Sequence, residues 1–132
     1  MKITADTNVL LRAFTNDDAV QSLAAVEMLE AASLVAVSQQ VLCEFVWVLN
    51  RQYDVSRADI AAAIRQLLDT KKIVMNRLAV EAGLSVLEAG GDFADGVISW
   101  DGDWLGGETF VSFDKKAVRI LEKQGRTVRL IS

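Results

Sequence analysis

The chain has 132 residues, of which 52% are hydrophobic, and this fits one domain with a real core and leaves no room for two. It contains no histidine, which excludes serine–histidine, cysteine–histidine and histidine–metal chemistry, so catalysis has to rest on carboxylates, hydroxyls, lysines or a bound metal. A net charge of −4 argues against a protein that holds nucleic acid by bulk electrostatics, although residues 115–129 form a basic segment.

Apolar strand patterns alternate with longer helical patterns along the chain. Strands are predicted at 1–5, 34–37, 73–75, 109–113 and 127–131. One helix is predicted from about Val9 and a second after an Asn16–Asp18 cap. Further helices are predicted at 39–53 after Ser38, at 57–68 after Ser56, from 76 to near 90, from 92 to about 100, and at 115–123. In the second helix an apolar face is marked by Val20, Leu23, Ala24 and Met28. The alternation predicts an α/β fold, with a parallel sheet flanked by helices.

Two aspartates directly follow predicted strands and precede predicted helices. Asp6 ends the first strand and Asp114 ends the fourth. Ser112 shares a strand face with Asp114, and its hydroxyl could position a carboxylate or water. In an open parallel sheet, ligands bind at this end of the strands. Aspartate is also an ordinary turn and N-cap residue, so a purely structural role stays open for Asp6.

Glu44 is the one polar residue in the apolar run 41–49 of the third predicted helix. Its neighbours at three and four residues along the helix are apolar. An unpaired carboxylate in such surroundings is costly or has a raised pKa, so Glu44 is expected to need a cation, a hydrogen-bond donor or water. Two interpretations stay open: Glu44 marks the opening of a site, or it forms a structural ion pair with an arginine such as Arg12.

Two acids stand at the mouth of the helix predicted after Gly90 and Gly91. Asp92 opens this helix, and Asp95 lies three residues on and faces the same end. The pair could cap the helix and stabilise its dipole, which accounts well for Asp92. Capping accounts less well for two negative charges held close together, and this favours a functional site.

Carboxylates gathered in one crevice need a compensating charge. Two of them ~4 Å apart repel by about 4 kcal/mol at an effective dielectric of about 20. Mg²⁺ or Mn²⁺ would provide the charge, since both ions prefer oxygen ligands and retain waters. Such a site is suited to polarising a phosphate and activating a water for in-line attack.

Taken in order, these motifs resemble the PIN domain, and most closely the VapC-type toxin ribonucleases of bacterial toxin–antitoxin pairs. The motifs are Asp-Thr-Asn at 6–8, the lone Glu44, Asp-Phe-Ala-Asp at 92–95 and Thr-Phe-Val-Ser-Phe-Asp at 109–114. Together they cover essentially the whole chain, 1–132. The resemblance implies a single domain with a parallel five-stranded sheet in which the first strand is central.

The same resemblance implies roles for individual residues. Catalytic, metal-binding carboxylates are expected at Asp6, Glu44, Asp95 and Asp114, and supporting groups at Asp92, Ser112 and Asn8. The implied cofactor is Mg²⁺ or Mn²⁺, and the implied activity is endonucleolytic hydrolysis of RNA, with transfer RNA or ribosomal RNA as candidate substrates. The implied partners are a small antitoxin protein and, in a homodimer, a second copy of the chain.

Two features depart from the family pattern. Gly96 stands where alanine is more usual, and it is expected to loosen its helix by up to ~1 kcal/mol. The stretch Trp100-Asp101-Gly102-Asp103-Trp104 replaces a more ordinary helix ending. Trp47, Trp100 and Trp104 are candidate groove or interface aromatics, and core positions explain them equally well.

The sequence shows no sign of membrane insertion or secretion. No apolar run approaches the ~18 residues of a membrane span, and the first residues lack the build of a signal peptide. The single cysteine, Cys43, has no intramolecular partner, which suits a reducing compartment. We therefore expect a cytoplasmic protein.

Other classes of protein compete with a nuclease. A catalytically inactive PIN-like domain would serve only as a binding module, but a scaffold gains nothing from crowded carboxylates. A phosphoacceptor receiver domain also gathers aspartates at strand ends, but it has no use for Glu44 or for the Asp92 and Asp95 pair. A haloacid-dehalogenase-like phosphatase needs an aspartate where this chain has Asn8.

Overall fold

The computed structural model describes all 132 residues, and their contacts divide into two compact units, Met1–Asn76 and Arg77–Ser132. The strands are β1 (Lys2–Thr4), β2 (Leu34–Ala36), β3 (Ile73–Val74), β4 (Phe110–Ser112) and β5 (Val128–Leu130). The helices are α1 (Thr7–Phe14), α2 (Ala19–Ala31), α3 (Gln39–Arg51), α4 (Arg57–Leu68), α5 (Arg77–Glu88), α6 (Phe93–Trp104) and α7 (Lys115–Lys123). The predicted α/β class and the predicted order of elements are confirmed. None of the seven helices has both the length and the hydropathy needed to cross a membrane.

The strands form two hydrogen-bonded sheets, so the prediction of one five-stranded sheet is wrong. In the first unit, parallel strands pair in the order β1-β2-β3, and in the second unit β4 pairs in parallel with β5. The prediction that the first strand is central is also wrong, because β2 is the middle strand of its sheet. Alternating patterns indicate where strands lie and that they run in parallel, but strands of two or three residues carry too little pattern to specify which edges pair.

Side-chain caps begin the helices of the first unit. Each cap oxygen accepts a backbone N–H three residues on and so satisfies a donor that the helix leaves free. These caps are Asp6, Asp18, Ser38 and Ser56. Below the helices lies an apolar core whose fully buried members include Leu10, Val35, Leu42, Phe45, Ile60 and Ile64.

The outward side of α2 is apolar. Val20, Leu23 and Met28 are 80%, 61% and 44% exposed, whereas Ser22 and Ala25 are buried. The apolar face predicted for this helix is therefore not the face that packs on the core. Apolar residues lie on both sides of α2, so their spacing did not identify the buried side. Ser22 is accommodated there because its hydroxyl donates a 2.7 Å hydrogen bond to a backbone carbonyl.

Two glycines allow α5 and α6 to pack closely in the second unit. A Cβ added to Gly96 would lie 2.3 Å from the carbonyl oxygen of Ala82 and 2.7 Å from the Cα of Gly83. A Cβ added to Gly83 would lie 2.7 Å from the ring of Phe93. Since most of these atoms belong to the backbone, a side chain at Gly96 does not fit without moving a helix. The expectation that Gly96 only loosens its helix therefore missed its packing role.

The second unit also shows why α6 runs to Trp104, beyond the predicted end near residue 100. The N–H of Leu105 donates to the carbonyl oxygen of Asp101, and the N–H of Gly106 donates to that of Asp103, both at 3.0 Å. Gly106 has a φ of +103°, a conformation that ends a helix and that glycine adopts without strain. The stop signal is thus Gly106 and not the unusual stretch before it.

A polar network ties the connection between α1 and α2 to the segment after α3. The Asp17 carboxylate accepts hydrogen bonds from the Tyr53 hydroxyl at 2.6 Å, from Arg12 Nη1 at 2.9 Å and from the Thr15 hydroxyl at 3.0 Å. These donors, Tyr53 first, lower the pKa of Asp17 to about 2. The structural ion pair of Arg12 is therefore with Asp17, and the pairing with Glu44 considered above is wrong.

Acid is expected to weaken this network. Because the folded-state pKa of Asp17 is about 2 and its ordinary value is 3.8, its contribution to stability is present above 3.8 and is lost as the pH falls through about 2. We expect the urea midpoint of the wild type to fall more steeply over this range than that of Asp17→Asn. Glu27→Gln, which removes an exposed acid from α2, should follow the wild type, and parallel curves for all three proteins would contradict the prediction.

Candidate metal centre

Three aspartates of the second unit converge where α6 and α7 begin. Asp92, Asp95 and Asp114 each offer one carboxylate oxygen, and these oxygens all lie within 4.8 Å of one another. Asp95 is half-buried, whereas Asp92 and Asp114 are exposed. A set of ligands made only of carboxylate oxygens suits a hard divalent cation such as Mg²⁺ or Mn²⁺. The residues present therefore fit such an ion.

Asp114 is held in place by the start of α7. Its Oδ1 accepts the backbone N–H groups of Lys116 at 2.9 Å and Ala117 at 3.1 Å, which leaves Oδ2 outside the cap. The hydroxyl of Ser112 accepts the backbone N–H of Asp114 at 3.0 Å. Ser112 therefore acts on Asp114 through the backbone, as an anchor for the residue that carries the carboxylate.

Asp92 occupies the N-cap position of α6 without capping it. Its side chain makes no hydrogen bond to the first turn, and only its backbone carbonyl accepts the N–H of Asp95, at 3.1 Å. Capping, which seemed to account well for Asp92, is therefore wrong as an explanation of its carboxylate. Because the helix does not use this carboxylate, it is available to a ligand.

Asp95 has the electrostatic signature of a crowded acid. Burial raises its pKa above the ordinary value, and the negative charges of Asp92 and then Asp114 raise it further. Without a cation, the ionised form of Asp95 is therefore less favoured in the folded protein than in the unfolded chain. A bound divalent ion would relieve both causes, because it brings positive charge and oxygen coordination to the same place.

Asp6 and Asn8 lie at the start of α1 in the first unit, and both are exposed. Oδ1 of Asp6 accepts the backbone N–H of Val9 at 3.0 Å, so Asp6 is the N-cap that its position after a strand suggested. As in Asp114, the second carboxylate oxygen lies outside the cap. Asp6 thus combines a structural role with an available ligand atom.

Glu44 is exposed on α3, so the expectation that apolar neighbours enclose it is wrong. The apolar side chains that pack inward from this helix are Leu42, Phe45, Val46 and Leu49. Glu44 points away from them and accepts a 3.3 Å hydrogen bond from the Thr7 hydroxyl of α1. Thr7 was not singled out from the sequence, although its place directly after Asp6 was a signal that it could reach the same site.

The three tryptophans differ in their surroundings. Trp47 is 56% exposed and Trp104 is 77% exposed, so a core position is wrong for both. Trp100 is half-buried and stacks on Trp104, with ring centroids 6.1 Å apart and planes 6° from parallel. Trp47 has the Arg51 guanidinium carbon 6.0 Å from its ring centroid.

Comparison with known protein families gives a match that covers most of the chain. The chain matches the PIN domain family over residues 3–99, which is more than half of its length and includes Asp6, Glu44, Asp92 and Asp95. No curated protein matches the chain. Asp114 lies beyond the matched range, and the structure itself places it beside Asp92 and Asp95. The chain therefore belongs to the PIN domain family, whose members are typically nucleases that use divalent metal ions.

Proposed function

We propose that this protein is a metal-dependent endoribonuclease that hydrolyses RNA phosphodiester bonds, and that it is the toxin of a type II toxin–antitoxin pair. The observation that carries the nuclease proposal is the group formed by Asp92, Asp95 and Asp114, three carboxylates within 4.8 Å of one another in a PIN domain. Support for the toxin role comes from the order of the acidic motifs, which resembles that of VapC-type proteins.

Asp92, Asp95 and Asp114 are the residues proposed to hold Mg²⁺ or Mn²⁺. The resemblance assigns Asp6 and Glu44 to the same reaction. When bound, the ion supplies Lewis-acid polarisation of a phosphate oxygen and lowers the pKa of a coordinated water.

The chain's own groups orient the reacting atoms. The Thr7 hydroxyl holds Glu44 in an exposed position, where its carboxylate is suited to accept a proton from an attacking water. The backbone N–H of Val9 fixes one oxygen of Asp6, and Ser112 with the first turn of α7 fixes Asp114. Groups that are held before substrate arrives lower the cost of ordering them during the reaction.

The exposed charges suggest where RNA and partner proteins bind. Lys115, Lys116, Arg119 and Lys123 are exposed on α7, which begins at Asp114, and they are suited to contact backbone phosphates. An acidic site in a protein with a pI of about 4.8 is suited to attract a basic antitoxin segment. A homodimer is proposed on the resemblance to VapC-type proteins, and a cytoplasmic location on the unpaired Cys43, which suits a reducing compartment.

The proposal is tested by incubating the purified protein with pooled transfer RNA and ribosomal RNA, in Mn²⁺ or in chelator. We expect discrete fragments that appear only with the metal and disappear in Asp6→Asn. Asparagine retains the cap of α1, so this variant should fold, and Glu27→Gln is a control that should cleave normally. Fragments that persist in chelator, or an absence of cleavage with every RNA and metal, would contradict the nuclease proposal and favour an inactive binding module.

A further inference from the structure

The outward side of α3 carries more than Glu44. Glu44, Trp47 and Arg51 follow one another at intervals of three and four residues, so they share one side of the helix. At 1.5 Å per residue, Trp47 lies about 4.5 Å and Arg51 about 10.5 Å along the helix axis from Glu44. The three side chains therefore form a short exposed row that begins at a proposed catalytic carboxylate.

The exposure of Trp47 is not a consequence of a crowded core. The buried side of α3 is already complete without it, with Leu42, Phe45, Val46 and Leu49 packed inside the first unit. Trp47 nevertheless leaves more than half of a large aromatic side chain in water, at 56% exposure. Single exposed apolar side chains are ordinary, and what distinguishes Trp47 is its place in one row with Glu44 and Arg51.

Arg51 gives this indole a charged neighbour. Its guanidinium carbon lies 6.0 Å from the centre of the Trp47 ring, within reach of a cation–π interaction. The pair thus presents an exposed aromatic side chain with a positive charge over its ring, in a chain whose net charge is −4. A flat apolar ring with an adjacent cation matches an unpaired nucleotide, because the base stacks on the ring and the phosphate contacts the cation.

We infer that Trp47 and Arg51 form the substrate-binding surface beside Glu44, where Trp47 stacks on an unpaired base of the RNA and Arg51 contacts the adjoining phosphate. This inference rests on the proposed ribonuclease function and adds two residues that hold the substrate beside Glu44. It requires that the nucleotide bound at Trp47 be unpaired.

The test measures binding separately from cleavage. A short labelled single-stranded RNA of mixed sequence, and the same RNA annealed to its complement, are titrated in chelator with the Asp6→Asn protein as parent. We expect the parent to prefer the single strand, and Trp47→Ala in this parent to weaken its binding about 5- to 150-fold. Trp47→Phe keeps an aromatic surface and should recover most of the affinity.

Salt dependence separates the two residues. Arg51→Met should reduce the magnitude of the negative slope of log K against log salt concentration by about 0.7, the value for one phosphate contact on a single strand. Trp47→Ala should leave this slope unchanged, since stacking releases no counterions. Leu78→Ala, which removes an exposed apolar side chain that cannot stack on a base, is the control and should bind within about twofold of the parent.

Several results would overturn the inference. These are absence of RNA binding by the parent, equal affinity for the duplex, a Trp47→Ala affinity unchanged from the parent, or an equal loss in Leu78→Ala. A change in oligomeric state on Trp47→Ala, measured by light scattering, would instead assign Trp47 to a contact between copies of the chain. A different result is that the wild type, which retains Asp6, cleaves no RNA while RNA binding still depends on Trp47. That result contradicts the ribonuclease proposal and leaves this inference standing.

Discussion

Asp95→Asn should abolish metal-dependent cleavage and, in chelator, should make the protein more stable than the wild type. Burial and the charges of Asp92 and Asp114 raise the pKa of Asp95 in the folded state. An acid whose folded-state pKa is raised lowers the free energy of unfolding when it is ionised, and this cost shrinks as the pH falls from its folded-state pKa towards its ordinary value of 3.8. Asparagine has nearly the same shape and no charge, so it removes the cost at every pH.

Metal should reverse this order of stability. A cation that binds the folded wild type and not the unfolded chain raises its stability by mass action, and Asp95→Asn loses one of the three ligands. We expect at least about a 100-fold loss of cleavage in the variant. We also expect added Mn²⁺ to raise its urea midpoint by less than it raises that of the wild type.

Glu122→Gln, which removes an exposed acid from α7, is the control for this comparison. It should match the wild type in cleavage and in its response to Mn²⁺. A variant Asp95→Asn that is less stable than the wild type in chelator would show that repulsion does not dominate at this site. Retained cleavage would remove Asp95 from the mechanism.

Gly96→Ala should destabilise the protein, although alanine is the better helix former. The added Cβ would meet the backbone of α5 at 2.3 Å and 2.7 Å, so the two helices must separate to admit it. Overpacking of this kind costs about 1–3 kcal/mol, which exceeds the gain of up to about 1 kcal/mol from helix propensity. The measurement is the free energy of unfolding in urea.

Gly102→Ala on the same helix is the matched control. A Cβ at Gly102 has nothing within 4 Å, so only the propensity gain remains. We expect Gly102→Ala to raise the free energy of unfolding by up to about 1 kcal/mol, opposite in sign to the effect at Gly96. Equal stabilisation by both substitutions would show that α5 and α6 do not require a glycine between them.

Local chemistry explains which parts of the fold the sequence predicted. Caps such as Ser38 and Ser56, and the Gly-Gly that follows α5, act on residues close in the chain, so their effects are visible in the sequence itself. The pairing of strands depends on residues far apart, and β1 to β5 are too short to record it. For this reason the α/β class was correct and the single five-stranded sheet was not.

The sequence likewise indicates some residues of the candidate site and not the surroundings of others. The pattern of strand, acid and helix in the sequence indicates Asp114, and the spacing after the double glycine indicates Asp95. The prediction that Glu44 lies in apolar surroundings was wrong, because apolar neighbours along a helix do not show which side of the helix faces the core. Whether the Asp92 carboxylate serves the helix or a ligand depends on its rotamer, which no spacing rule reports.

Asp6 and Asp114 each commit one carboxylate oxygen to starting a helix and leave the other outside the cap. Asparagine begins a helix about as well as aspartate, so the first role survives a substitution that removes the second. The requirement that the chain fold therefore does not preserve aspartate, and with it the proposed activity, at these two positions. On the proposed toxin function, cells that escape its activity should carry full-length, folded chains with asparagine at residue 6 or 114, alongside the truncated chains that any loss of function allows.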